Sequence, residues 1–393
     1  MPAGPFERAP AALERERLRV ALDATPLLGH PTGVGNFCAG ALLGLGARHD
    51  LDVRAFAVSW RRRDAIGPLL APGVSGEQRP MPARPLHALW SRWSFPPIEW
   101  FIGDTDVVHG TNFVVPPTRR AGRVVTVHDV TMLRFPELCD AATLRFPALI
   151  KRAVADGAWV HTPSAFVAAE VIDAFGVPAE RVRAVHSGVP PLAEPGAAAN
   201  GTAAGPGLPP GARRYVLAVG TAEPRKDLPG LVEAFDAVAR DRPDLALVLA
   251  GADGWGAGAL EDAVAGAHFA SRIVRTGWVT DAVRSGLLRD AAVLVYPSRY
   301  EGFGFPPLEA MAAGIPVVAT RVGALPEVIA DGASLVPAGD VGALAAGIAA
   351  ILDSPERAEA LVASGRRRAA EFSWDRCAGG LAALYRDVVA SHG

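Results

Sequence analysis

Cysteine is scarce in this chain. Its 393 residues include three, Cys38, Cys139 and Cys377, far apart and odd in number. They give neither a CxxC metal spacing nor a disulfide framework, which predicts a reducing, cytoplasmic compartment. Lysine is scarcer still: of 39 basic residues only Lys151 and Lys226 are lysine. In so arginine-rich a chain, each lysine marks a place where a compact ammonium could be needed instead of a planar fork. An excess of one charge is also missing. The 39 basic and 41 acidic residues leave a net charge of −2, which excludes the broad basic footprint of a nucleic-acid binder. No apolar run approaches the ~20 residues of a spanning helix. The stretch Met1–Arg19 interleaves Glu7, Glu14 and Glu16 with arginines and lacks the apolar centre of a signal peptide. A soluble protein is expected.

Apolar residues, in contrast, make up 50% of the chain against 20% charged, so the chain folds. Its length calls for two or three domains at roughly 150 residues each. Strand-like runs alternate with helical patterns throughout, the mark of parallel sheets covered by helices. The first half offers strands at Leu18–Leu22, Asp52–Val58, Asp106–His109, Arg123–His128 and Trp159–His161. It also offers helices over Gly35–Ala47 and Ser164–Phe175, the second with Ser164 as N-cap and Gly176 beyond its end. Pro190–Gly211 is nearly all Pro, Gly and Ala, without periodicity, and reads as a linker. Alternation then restarts at Tyr215–Val219 and continues to a helix over Trp374–Val389. The expected organisation is a first doubly wound α/β domain over 1–189, a linker over 190–212 and a second such domain over 213–373. A last helix over 374–393 could cross back to the first domain. A ligand would sit between them, at the carboxyl ends of the strands.

The densest motif is PSRYEGFGFPPLEAMAAGIPVVATRVGALPEV, Pro297–Val328. A strand ends at Tyr296 and runs into a loop with Glu301, Gly302, Phe303, Gly304 and Phe305; a helix then opens at Pro306–Pro307. The glycines let backbone N–H groups approach a ligand, and the helix start favours an anion. Glu301 and Glu309 flanking an anion site make sense as partners of sugar or ribose hydroxyls, since carboxylates would repel phosphate. The bland alternative is a capping Glu309 and a solvated Glu301. A second motif, GTAEPRKD, follows the first strand of the second half and puts Arg225 and Lys226 at the mouth of the cleft, a pair suited to a diphosphate. Third, PTGVGN brings Gly33 and Gly35 to the start of a helix. Fourth, His128–Asp129 ends the strand VVTVH, where the imidazole can meet a sugar hydroxyl or carry a proton. His109, His161 and His186 also end strand-like runs and read as structural. Asp104-Thr105-Asp106 has the look of a metal-binding DxD but leads directly into a strand, so a turn is the better reading.

In this order the motifs resemble the family-4 retaining glycosyltransferases of GT-B fold, and the proline-containing EGFGFPPLE is most similar to the mannosyltransferase-like, O-antigen-type branch. LDATPLLGHPTGVGNF, VVTVHDVTMLRFPE, VHSGV and GTAEPRKDLPGLVEAF match in place, while Ala83–Gly103 matches little. The resemblance implies two Rossmann-like domains across a cleft and a nucleotide diphosphate sugar as donor. It implies that Glu309 binds the donor ribose, that Glu301 lies beside the donor sugar and that His128 touches that sugar. Arg225 and Lys226 would neutralise the diphosphate, helped by amides near Gly33, Gly35, Gly304 and Phe305, and Trp278 and Val279 would border the base. No cofactor and no metal are implied.

The expected reaction is transfer of a hexose, foremost mannose from GDP-mannose, to a glycan or lipid-linked acceptor. A UDP- or dTDP-sugar donor stays open, and so does a non-catalytic nucleotide-sugar-binding relative. A Rossmann dehydrogenase is disfavoured because Cys38 stands where G-x-G-x-x-G needs its last glycine. No nucleic-acid partner is expected. Peripheral contact with the inner face of a membrane is suggested by Leu86–Ile102, which holds Trp90, Trp93 and Trp100, three of eight tryptophans, near Arg84 and Arg92. That reading puts aromatic surface near the acceptor side of the cleft. The preferred reading of the segment is a helix and turn packed on the first domain, broken by Pro96–Pro97.

Overall fold

The computed structural model describes residues 17–29, 32–62, 65–77, 79–90, 92–141, 143–193 and 207–392. Glu7, Glu14, Glu16, Pro31 and residues 194–206 of the linker lie outside the described residues. The first sheet has seven parallel strands: β1 Leu18–Asp23, β2 Leu51–Phe56, β3 Val74–Gly76, β4 Val107–Gly110, β5 Gly122–Thr126, β6 Trp159–Thr162 and β7 Val182–Ala184. Their order is β3-β2-β1-β4-β5-β6-β7. The second sheet has six: β8 Arg214–Val219, β9 Leu245–Ala250, β10 Ile273–Gly277, β11 Val293–Tyr296, β12 Val317–Thr320 and β13 Ser334–Val336, ordered β10-β9-β8-β11-β12-β13. Helices cover both faces, which is why β9, LALVLA, is buried at every position. The fold is GT-B, two Rossmann-like parallel-sheet domains.

Strand order reverses between β1 and β4 and again between β8 and β11. At such switch points the connections leave in opposite directions and open a crevice at the strands' carboxyl ends. Three edge strands, β3, β7 and β13, escaped the sequence reading because three residues are too few to show alternation. Helices Phe146–Ala155 and Ala257–Gly266 are likewise additions, whereas helix Ala83–Trp90 is the helix expected at the start of the Leu86–Ile102 segment. Helix Trp374–Ala390 packs on helix Gly33–Gly46, and its Trp374, Leu381, Tyr385 and Val388 are part of the first domain's core.

That helix is tied down by a buried hydrogen-bond chain whose direction can be worked out. The Val185 carbonyl only accepts, so His161 donates to it through Nε2 at 3.1 Å, and His161 Nδ1 must accept from Thr126 Oγ1 at 3.0 Å. Thr126 has one proton, so His109 donates to it through Nε2 at 2.7 Å, and His109 Nδ1 accepts from the Tyr385 hydroxyl at 2.7 Å. Every imidazole in the chain is neutral. Burial lowers the pKa of His161 to about 3 and that of His109 well below its ordinary value. These folded-state values lie under the unfolded ~6.5, so the stabilisation is complete above pH ~6.5 and is lost as the pH falls toward 3. Asp23, raised by burial to about 6, works in the opposite direction and offsets part of the loss. Denaturation midpoints are expected to fall between pH 6.5 and 4.5, and His161→Gln should flatten that slope. An equal slope in the variant would refute the assignment.

The Leu86–Ile102 segment divides by role. Trp90 is core, with its Nε1 donating to the Pro96 carbonyl at 2.9 Å. Trp93, Phe95 and Trp100 are each more than half exposed. Glu99 accepts backbone N–H bonds from Arg119 and Arg120 at 2.7 and 3.1 Å, in the turn that feeds the start of β5. The exposed aromatics therefore lie by the amino ends of the strands, opposite the cleft. This corrects the expected position near its acceptor side.

Candidate active site

A cavity of about 510 Å³ fills the crevice between the two switch points. From the first domain come Thr32, Gly33, Val34, Asn36, His128 and Asp129; from the second, Arg225, Lys226, Trp278, Val279, Glu301–Phe305 and Glu309. The residues expected from sequence to form the donor and reaction site thus converge on one volume, with one exception. Gly35 does not line it, because its N–H is taken by the Thr32 Oγ1 cap at 3.3 Å. Gly33 and Val34, two residues and one residue earlier, face the cavity instead.

Arg225 and Lys226 reach the crevice from a single helical turn after β8. Lys226 Nζ donates to Glu301 Oε1 at 2.6 Å and Arg225 to the same oxygen at 2.9 Å. Lys226 also donates to the Tyr296 hydroxyl. Burial would raise the Glu301 carboxyl, but Lys226 and Arg225 overcome it and hold the pKa at about 2. Glu301 is therefore held as a carboxylate between the two cations. Burial lowers the Lys226 ammonium below its ordinary value, with Glu301 opposing and Arg225 adding to the shift. For Arg225 the order of influence is burial, which lowers, then Glu301 and Glu223, which raise; the net shift is upward.

Glu309 stands in the helix Phe305–Ala313 and is buried. Arg284 grips both its oxygens at 2.6 Å and reaches Asp281 at 3.2 Å. Burial raises the Glu309 carboxyl, and the Arg284 charge only partly offsets this. Arg284 was missed in the sequence. Its signal was faint: it follows Asp281 by three on a helix, the spacing that places two side chains on one face.

The loop geometry explains its composition. Gly304 has φ 109°, a left-handed conformation that strains any residue with a side chain. Gly302 lies so close to the first domain that a Cβ there would meet the His128 carbonyl oxygen at 1.9 Å. Pro306 and Pro307 carry no N–H, so the helix's free donors are reduced to the amides of Gly304 and Phe305 at the cavity wall. His128 donates through Nε2 to the Thr111 carbonyl at 2.8 Å, which leaves Nδ1 as an acceptor, and burial keeps the ring neutral. The DxD-like pair is elsewhere: Asp106 binds Arg19 at 2.6 Å before β4, outside the cavity. His186 bonds Glu327 across the domains at 2.7 Å.

The comparisons agree with this geometry. The profile described as "Glycosyl transferases group 1" matches residues 205–368, and that of "Glycosyltransferase Family 4" matches 31–191. O-antigen chain mannosyltransferase B of Escherichia coli is 32% identical over 286 residues, 69% of this chain and 71% of the relative. Among solved structures, sucrose-phosphate synthase from Thermosynechococcus elongatus superposes with a TM-score of 0.72 at 21% identity, covering 95% of this chain and 100% of that one. Anabaena HepE, solved in complex with UDP-glucose, superposes with a TM-score of 0.67 at 17% identity, covering 93% and 99%. Two switch-point crevices facing one cavity, an E-x7-E pair on its wall, the two profile matches and the Escherichia coli relative at 32% identity lead to one conclusion: the chain is a glycosyltransferase and belongs to the family-4 glycosyltransferases of GT-B fold.

Proposed function

We propose that the chain transfers mannose from GDP-mannose, with retention of anomeric configuration and without a metal, to a hydroxyl of a glycan or lipid-linked acceptor in polysaccharide assembly. The observation that carries the reading is the convergence of Arg225 and Lys226 on one wall of the cavity, opposite the helix start at Gly33. Two cations and two sets of backbone amides can take up the charge of a diphosphate, which removes the need for a divalent ion. Mannose as the sugar is supported by the O-antigen mannosyltransferase relative. Guanine is supported by Asp281 beside Trp278 and Val279: a carboxylate can accept from the paired N–H groups of guanine, whereas uracil offers one N–H between two carbonyls.

In the proposed step the acceptor oxygen attacks the anomeric carbon on the face from which the diphosphate departs. The C1–O bond to phosphate breaks, and the hydroxyl proton passes to the departing phosphate oxygen. Catalysis then rests on positioning and on stabilising leaving-group charge. A panel of GDP-mannose, UDP-glucose, UDP-GlcNAc and dTDP-rhamnose, assayed for donor hydrolysis and transfer in EDTA, is the test. Turnover of GDP-mannose is expected to survive chelation. Loss of activity restored by Mn²⁺ or Mg²⁺ would overturn the metal-free reading, and preference for another donor would overturn the guanine reading.

A place on the inner face of a membrane is part of the same proposal. Among the described residues no helix is long and apolar enough to cross one. Exposed Trp93, Phe95 and Trp100, with Arg79 donating to the Trp100 carbonyl, form an aromatic and basic surface suited to anionic lipid. Flotation with anionic liposomes should recover wild type at low salt, and a Trp93/Trp100 double alanine should bind about tenfold or more weakly. Wild type that never floats would assign these side chains to another role.

A further inference from the structure

We infer that Tyr300 is a positioning residue that couples closure of the two domains to the placement of Glu301, through a socket built by Glu170, Arg134 and the Val130 amide. This rests on the reading of Glu301 as a group beside the donor sugar. Tyr300 belongs by sequence to the loop that leaves β11 of the second domain, yet its ring is 4% exposed within the core of the first domain. It packs against Phe135 and Phe166, with ring centroids 5.6 and 6.2 Å away. Its hydroxyl accepts the Val130 N–H at 3.2 Å and donates to Glu170. The other oxygen of Glu170 accepts from Arg134 Nε at 2.9 Å.

The next residue points the other way. Glu301 turns back into the second domain to meet Arg225 and Lys226. One residue further, the Gly302 carbonyl accepts from Ser164 Oγ of the first domain at 2.8 Å. Consecutive residues therefore hold the first domain, the second and the first again. Two successive side chains and the backbone carbonyl that follows them thus engage the two domains in turn. Moving the domains apart would draw Tyr300 from an apolar socket and leave the Val130 amide and one oxygen of Glu170 without the tyrosine hydroxyl, a cost that closure avoids. The loop is held at both flanks only in the closed arrangement. Release on opening would loosen Glu301 and with it the two cations that face the leaving group.

The prediction separates positioning from binding, because Arg225 and Lys226 belong to the second domain alone. Titration calorimetry with GDP and UDP should give Tyr300→Phe and wild type the same affinity for the tighter nucleotide to within about twofold. kcat should fall by about 10- to 100-fold, the range that misplacement at a distance from the chemistry can produce. Small-angle scattering with that nucleotide should show a larger radius of gyration for the variant. Glu170→Gln keeps an acceptor for the tyrosine hydroxyl and should retain most of the kcat; Glu170→Ala should behave like Tyr300→Phe. Unchanged kcat in Tyr300→Phe and Glu170→Ala would overturn the inference, as would parallel losses of nucleotide affinity and kcat in both. Wild type that binds neither nucleotide would instead overturn the donor reading, while scattering of the free protein would still report whether Tyr300→Phe opens the cleft.

Discussion

Lys226→Ala and Arg225→Ala are each expected to lower kcat/KM by roughly 10² or more, the usual effect of removing one charge-stabilising group. The two losses arise differently. Lys226 is buried against Tyr296, with Nζ 4.4 Å from the ring centroid, and supplies a point charge. Arg225 is anchored by Glu223 at 2.8 Å and by Glu301 at 2.9 Å, so its fork has donors left for phosphate. Lys226→Arg should recover little, because a planar fork does not fit the space of an ammonium flanked by a phenol and a carboxylate. The depressed Lys226 pKa adds a signature. The charged form is lost as the pH rises through a folded value below the ordinary 10.5, so kcat/KM should decline on the alkaline side earlier than an exposed lysine would dictate. Steady-state kinetics over that range check both points. Near-wild-type kinetics in the two alanine variants would sink the diphosphate assignment.

Glu309→Ala and Glu301→Gln are expected to fail in different ways. Glu309 is held by Arg284 away from the cations, and its proposed ribose contacts are alike in ground and transition states. Its loss should weaken donor binding by about 10- to 100-fold, the worth of hydrogen bonds to a charged group. Truncation also leaves Arg284 with Asp281 as its remaining carboxylate partner among the described contacts, so thermal stability should drop as well. Glu301→Gln keeps the shape and removes the negative charge between Lys226 and Arg225. Contacts beside the anomeric centre change as charge develops, so kcat should fall while the donor dissociation constant stays nearly constant. Calorimetry with the donor nucleotide and steady-state rates separate the two. The reverse pattern would mean that the roles are exchanged.

Much of the cavity wall in the second domain was legible in the sequence because its signals are local. A glycine that must take φ 109°, two prolines opening a helix and a lone lysine after a strand are requirements of a few adjacent residues, and each reads directly. The strand cores were legible for the same reason: a strand buried on both faces must be a continuous apolar run. Ser164 shows where local reading ends. Its place before a helical pattern marks it as an N-cap, and its Oγ does accept the Val167 N–H, yet the same hydroxyl donates to Gly302, 138 residues away. Gly35, Trp90 and Arg284 follow this rule. Whether an amide is free, an indole is covered or a guanidinium meets a carboxylate depends on which partner the fold brings near, and residue type alone does not record it. Tyr300 is the extreme instance, a side chain of one domain's loop buried in the other domain's core, paired with Glu170 at a separation of 130 residues. Sequence determined the two sheets and the charged and glycine-rich loops at their switch points. Only the tertiary structure decided how those loops clasp across the cleft, because burial and pairing between domains depend on their relative placement, which no local pattern encodes.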